Sequence, residues 1–134
     1  MSSYLYHVQL NIDFHNKLFY TELFEYLGWS VIFEKEDVVG YKSRTCGDIW
    51  LVDSEKMELS DYDARGLNHI ALRVDSIKDV DTFQAFLNKK GTETLFDTPK
   101  YRPEFASSDT DTYYQIMFKT ADNILFEVVY IGRK

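Results

Sequence analysis

An α+β fold of two strand-helix-strand-strand-strand modules is what this sequence predicts, and three observations carry it. His7-Val8-Gln9-Leu10-Asn11-Ile12 returns as His69-Ile70-Ala71-Leu72-Arg73-Val74, 62 residues on (7 to 69), with apolar side chains at every second position in both copies. Each copy runs into an aspartate, Asp13 or Asp75, and then into apolar residues at helical spacing. Three short apolar stretches follow each helix. Repetition at this scale fixes the architecture, because one such unit cannot bury its sheet alone and needs its neighbour.

The elements follow in order. Strict alternation over residues 7–12 predicts a strand, since successive side chains of a strand point to opposite faces. From Phe14 to Leu27, the apolar Phe14, Leu18, Leu23 and Leu27 stand near helical spacing, with Lys17, Glu22 and Glu25 on the other side. Gly28 ends that helix, as a glycine just past a helix does. Trp29–Glu34, Val38–Lys42 and Asp48–Val52 are the three strands that complete the first half. Residues 53–65, rich in Asp, Glu and Ser, bridge to the second half. There the strand is 69–74, the helix carries Ile77, Val80, Phe83 and Leu87 and stops at Gly91, and the strands are Thr92–Phe96, Tyr113–Lys119 and Ile124–Ile131. Tyr41-Lys42-Ser43 aligns with Phe118-Lys119-Thr120 at an offset of 77, which also carries Asp48–Val52 onto Leu125–Val129. The 15 residues by which 77 exceeds 62 fall in an insertion around residues 98–112. The modules are expected at 4–53 and 67–131, within a single domain spanning 1–134.

Composition narrows the function classes. With 134 residues, 45% of them hydrophobic and 16% aromatic, the chain has ample material for one core. A net charge of −7 without any Lys/Arg cluster argues against nucleic acid or an anionic membrane as partner. No apolar run approaches the roughly 18 residues of a membrane span. Met1-Ser2-Ser3-Tyr4 leads straight into the expected first strand, so no signal peptide is expected. A lone cysteine, Cys46, cannot form an internal disulfide and fits a reducing cytoplasm. With neither a second Cys nor a nearby His to activate it, Cys46 is assigned no role.

Strand parity gathers the candidate site. Val8, Leu10 and Ile12 should face the helices, which puts His7, Gln9 and Asn11 on the opposite face; His69, Ala71 and Arg73 share a face by the same rule, as do Leu125, Glu127 and Val129. If helices cover one side of each sheet, the other side holds His7, His69 and Glu127, with Gln9, Asn11, Trp50 and Arg73 around them. Two imidazoles and one carboxylate leave open positions on a divalent metal for substrate or water. The plainer reading makes both histidines satisfied core residues or relics of a metal-binding ancestor. Glu127 stands in a very apolar strand, where an unpaired carboxylate is costly, so it requires a partner, either metal or Arg73. Of Tyr113 and Tyr114, one is expected in the core, and His15 is expected to be exposed. Residues 97–112, with Lys100, Tyr101, Arg102, Pro103 and Phe105, read as a long loop. Such a loop is either a lid whose Arg102 meets an anionic substrate or a solvated surface segment.

The motifs Tyr6-His7-Val8-Gln9-Leu10, Leu67-Asn68-His69-Ile70-Ala71-Leu72 and Asp122-Asn123-Ile124-Leu125-Phe126-Glu127-Val128 resemble the vicinal oxygen chelate superfamily, also called the glyoxalase, bleomycin-resistance and dioxygenase superfamily. The resemblance covers essentially the whole chain. It implies two βαβββ modules forming a cupped mixed sheet with helices on the outer face. It also implies metal ligands from the first strand of each module and the last strand of one or both, which on this chain are His7, His69 and Glu127. Trp50 stands at the fourth ligand position, where members resembling glyoxalase I have a second glutamate that ligates metal and helps move protons. An indole N–H only donates a hydrogen bond, so a standard glutathione-dependent glyoxalase I is disfavoured. Gln9 likewise stands where many fosfomycin-modifying relatives have a small residue. The resemblance therefore implies an enzyme dependent on a divalent metal (Mn, Fe, Ni or Zn) and acting on a small oxygen-rich molecule by lyase, isomerase, epoxide-opening or dioxygenase chemistry. Glu127 would be its catalytic group, and Gln9, Asn11, Trp50, Arg73 and Arg102 its substrate contacts. The alternative it implies is a metal-free protein that binds a small molecule or antibiotic. Either form is expected to be a cytoplasmic homodimer.

Overall fold

The computed structural model describes residues 1–45 and 47–134, so Cys46 lies outside the described residues. The chain divides into two compact units, Met1–Glu58 and Leu59–Lys134.

Unit 1 runs β1 (His7–Ile12), α1 (Lys17–Tyr26), β2 (Ser30–Lys35), β3 (Val38–Lys42) and β4 (Asp48–Asp53). Its sheet has the order β1-β4-β3-β2, with β1 parallel to β4 and the other pairs antiparallel. Asp13 accepts the His15 backbone N–H and opens a short 3-10 turn, Phe14–Asn16, that leads into α1. The helix buries Tyr20, Leu23 and Phe24. Leu18, expected on the apolar stripe, is 66% exposed. At about 100° per residue it points roughly 200° away from Tyr20, which sets the buried face with Leu23 and Phe24. The Phe24 ring lies 4.8 Å from that of Tyr41, whose hydroxyl pairs with Thr21 Oγ1 at 2.6 Å.

Unit 2 repeats the plan with β5 (His69–Val74), α2 (Ile77–Lys89), β6 (Thr94–Tyr101), β7 (Asp111–Lys119) and β8 (Leu125–Arg133), in the sheet order β5-β8-β7-β6. Ser76 caps α2 by accepting the Asp79 N–H, while its hydroxyl donates to Asp79 Oδ2, so two polar groups at the helix start satisfy one another. Val80, Phe83, Phe86 and Leu87 are the buried stripe. Phe83 meets Phe118 at 5.5 Å, and Phe118 stacks on Phe126 at 5.8 Å, so this side of the sheet is the core. Among the described residues no helix is long and apolar enough to cross a membrane.

The insertion is shorter as a loop than the sequence predicts. β6 continues to Tyr101 and β7 begins at Asp111, which leaves residues 102–110 with one 3-10 turn, Pro103–Phe105. The reason is a bulge. Leu95 pairs with Met117 and Lys100 with Gln115, so the residues between them bow out of register. Phe96 and Asp97 take φ of +59° and +57° there. Thr98 Oγ1 accepts the Met117 N–H at 2.8 Å and ties the bulge to β7. A bulge removes the period-two pattern that marks a strand, so this stretch reads as loop in the sequence.

Strand registers obey the repeat. His7 pairs with Asp48 as His69 pairs with Leu125, and Trp50 pairs with Gly40 as Glu127 pairs with Met117. Offsets of 62 and 77 therefore relate the backbone pairing as well as the residue pattern, and Trp50 and Glu127 are structurally equivalent.

Candidate functional site

In unit 2 the fold brings His69 and Glu127 together. Both lie on the sheet face away from α2: His69 opens β5, and Glu127 sits at mid-β8 beside Ala71. His69 Nε2 is 3.1 Å from Glu127 Oε2, with the imidazole partly exposed and the carboxylate buried. Glu127 Oε1 accepts a 2.7 Å hydrogen bond from the Tyr113 hydroxyl. The other ring nitrogen of His69, Nδ1, is 2.7 Å from Asn68 Oδ1. A carboxylate only 2% exposed would be costly without such partners. Burial, and then the bond to Glu127, raise the Tyr113 hydroxyl pKa well above its ordinary value, so it stays a donor.

This donor chemistry fits a divalent cation. The Nε2–Oε2 separation of 3.1 Å is that of an imidazole–carboxylate pair, and it sets two atoms of the metal-ligand type side by side. Asn68 and Tyr113 occupy the outer atoms of the two candidate ligands, as hydrogen-bonding groups behind metal ligands do. Among the described residues of unit 2, no third His, Cys, Asp or Glu joins the pair.

Unit 1 places its candidates on one face as parity predicts, with His7, Gln9 and Asn11 exposed along β1. The His7 ring lies 5.5 Å from that of Tyr6. Gln9 pairs with Trp50 across the parallel strands, and its amide reaches Asn11 Oδ1 at 3.5 Å. The half-buried Trp50 indole lies over Gly40, where an added Cβ would come within 2.9 Å of the ring, and its ring centroid is 5.7 Å from Phe33. The glycine is what lets this large ring lie flat on the sheet.

Two expectations are corrected, the Arg73 pairing and the core tyrosine, and Arg102 is found held on its own turn. Arg73 is not the partner of Glu127: it stands beside Val129 and donates to the Ile131 carbonyl at 2.6 Å. Arg102 is tied to Glu104 at 2.6 Å and covers the Phe105 ring at 4.7 Å. Neither Tyr113 nor Tyr114 is a core residue. Both are half-buried within β7 and spend their hydroxyls on carboxylates, Tyr114 on Asp81 of α2 at 2.8 Å. Tyr113 is thus the site residue that sequence reasoning missed. Its signal was parity, because Tyr113, Gln115 and Met117 share the face of Glu127. A cavity of about 360 Å³, lined by Ile77, Tyr101, Pro103, Asp111, Thr112 and Lys134, shares none of the residues of the His69–Glu127 pair.

No known family profile matches the chain, and no curated protein matches it. Solved structures do. A candidate glyoxalase from Bacillus halodurans superposes with a TM-score of 0.78 at 23% identity, over 94% of each chain. A glyoxalase/bleomycin resistance protein from Albidiferax ferrireducens gives 0.74 at 17% identity, covering 94% of this chain and 98% of that one. The fosfomycin resistance protein FosX from Listeria monocytogenes gives 0.66 at 21% identity, covering 97% and 94%. The chain therefore has the two-module α+β fold seen in glyoxalase/bleomycin resistance/dioxygenase proteins.

Proposed function

We propose that this chain is a divalent-metal-dependent enzyme acting on a small oxygen-rich molecule, with His7, His69 and Glu127 as metal ligands in one glyoxalase-like domain. The observation that supports it best is the 3.1 Å approach of His69 Nε2 to a buried Glu127 oxygen, each group held from behind by a separate hydrogen bond. A bound Mn, Fe, Ni or Zn ion would polarise vicinal oxygens of the substrate and stabilise the negative charge that develops on them. Glu127 is also the proposed catalytic group, the buried carboxylate at the site that would hold or take a proton. Trp50, at the equivalent position of unit 1, has only an N–H to donate, so a second carboxylate base is missing and standard glyoxalase I chemistry is disfavoured. Gln9, Asn11, Trp50, Arg73 and Arg102 are proposed as substrate contacts. Arg102 reaches an anionic group by exchanging Glu104 for it.

The second reading is a metal-free binding protein, and Trp50 favours it: module 1 has an aromatic plate where module 2 has its carboxylate. A turnover screen on metal-loaded protein separates the two, using hemithioacetals, epoxides and catechols, with Glu127→Ala in parallel. Turnover that needs both the ion and Glu127 supports the enzyme. Tight ligand binding without turnover in either protein supports the binder. A cytoplasmic homodimer belongs to both readings.

A further inference from the structure

We propose that Asn68 is a positioning residue that keeps the ring proton of His69 on Nδ1 and so leaves Nε2 free to hold a cation. This role rests on the metal reading for its consequence, while its geometry stands without it. The Tyr62 main-chain carbonyl can only accept, and Asn68 Nδ2 donates to it at 2.7 Å. That bond fixes the orientation of the amide, since rotating it would set Oδ1 against the carbonyl oxygen. Oδ1 is therefore the atom 2.7 Å from His69 Nδ1, and an acceptor there requires a donor. The donor a ring nitrogen offers is N–H, so Nδ1 carries the proton. Nε2 then faces Glu127 Oε2 at 3.1 Å with either a second proton or a metal ion between them. Tyr113 holds the other carboxylate oxygen, so Glu127 cannot rotate away without losing that bond. In the absence of Asn68, the neutral ring moves its proton to Nε2 and donates directly to Glu127, which blocks the ligating atom.

Two measurements on the full chain test the role. Nitrogen NMR of histidine-labelled, metal-free protein, recorded on either side of the ring's titration, reads which nitrogen of His69 is protonated. Zinc titration of metal-stripped wild type and Asn68→Ala reads the consequence. The expected results are a proton on Nδ1 in the wild type whether the ring is charged or neutral, its transfer to Nε2 in the neutral ring of Asn68→Ala, and zinc binding weakened about 10–100-fold in that variant. A neutral wild-type ring with its proton on Nε2, or zinc bound by both proteins with equal affinity, overturns the role. The wild-type spectrum decides the matter even if the variant does not fold. If the wild type takes no zinc while the proton sits on Nδ1 and moves in Asn68→Ala, the positioning stands and the metal reading falls.

Discussion

Glu127 is 2% exposed, and its two oxygens are shared between a phenol and an imidazole. Removing the phenol leaves one of those oxygens buried without a donor, which typically costs about 1–3 kcal/mol. Tyr113→Phe should therefore lower unfolding stability by that amount in a urea titration, more than phenylalanine substitution at the exposed Tyr4. The same chemistry predicts an alkaline signature. Burial and the bond to Asp81 push the Tyr114 hydroxyl from 10.0 up to about 12, and Tyr113 is raised in the same direction by burial and Glu127. A folded-state pKa raised above the unfolded value gives stability that is full below about pH 10 and is lost as pH climbs towards 12. Burial raises the Tyr41 hydroxyl as well, so phenolate absorbance should show three late-titrating tyrosines, one disappearing in Tyr113→Phe and one in Tyr114→Phe. Two ordinary titrations would contradict these contacts. Little of this was legible in the sequence. Parity placed Glu127 and called for a partner, but partner choice depends on which side chain spans from β7 to β8, and no one-dimensional pattern holds that distance.

Nearly all the elements could be read, because period two and period 3.6 are written in the apolar residues. The exceptions are physical. Helix α1 buries Tyr20 and Phe24 rather than Leu18, so aromatic residues outweigh the leucine that a hydropathy stripe would favour. Strand β6 is hidden by its bulge, where Phe96 and Asp97 leave the extended region. Gly40 on β3 is a position whose purpose becomes visible only with Trp50 above it. Gly40→Ala puts a methyl 2.9 Å from the indole, so the ring must leave its seat. The expected outcome is a red-shifted tryptophan emission and a stability loss of about 1–3 kcal/mol, the usual range for overpacking. The same emission in Gly40→Ala and wild type would mean that the indole is not seated on the glycine.

At the scale of the whole molecule, duplication is the feature the sequence exposes best. The offsets of 62 and 77 read from residues are the ones that relate the two hydrogen-bonded sheets. Divergence within that symmetry makes the function harder to read: one module keeps a glutamate at mid-strand, and the other has a tryptophan. Fold likeness at 23% identity or less gives the architecture and leaves the reaction to the site. Assembly belongs to this scale too. Light scattering at micromolar concentration should give twice the 15.8 kDa chain mass, and a monomer would count against the proposed homodimer.

The most direct measurement is the metal content of purified, untagged protein by plasma mass spectrometry, with His7→Ala, His69→Ala and Glu127→Ala alongside. Near-stoichiometric Mn, Fe, Ni or Zn in the wild type, lost in all three variants, is the predicted result. A wild type that holds none of these ions after reconstitution with each in turn, or one whose ion survives all three substitutions, would contradict it.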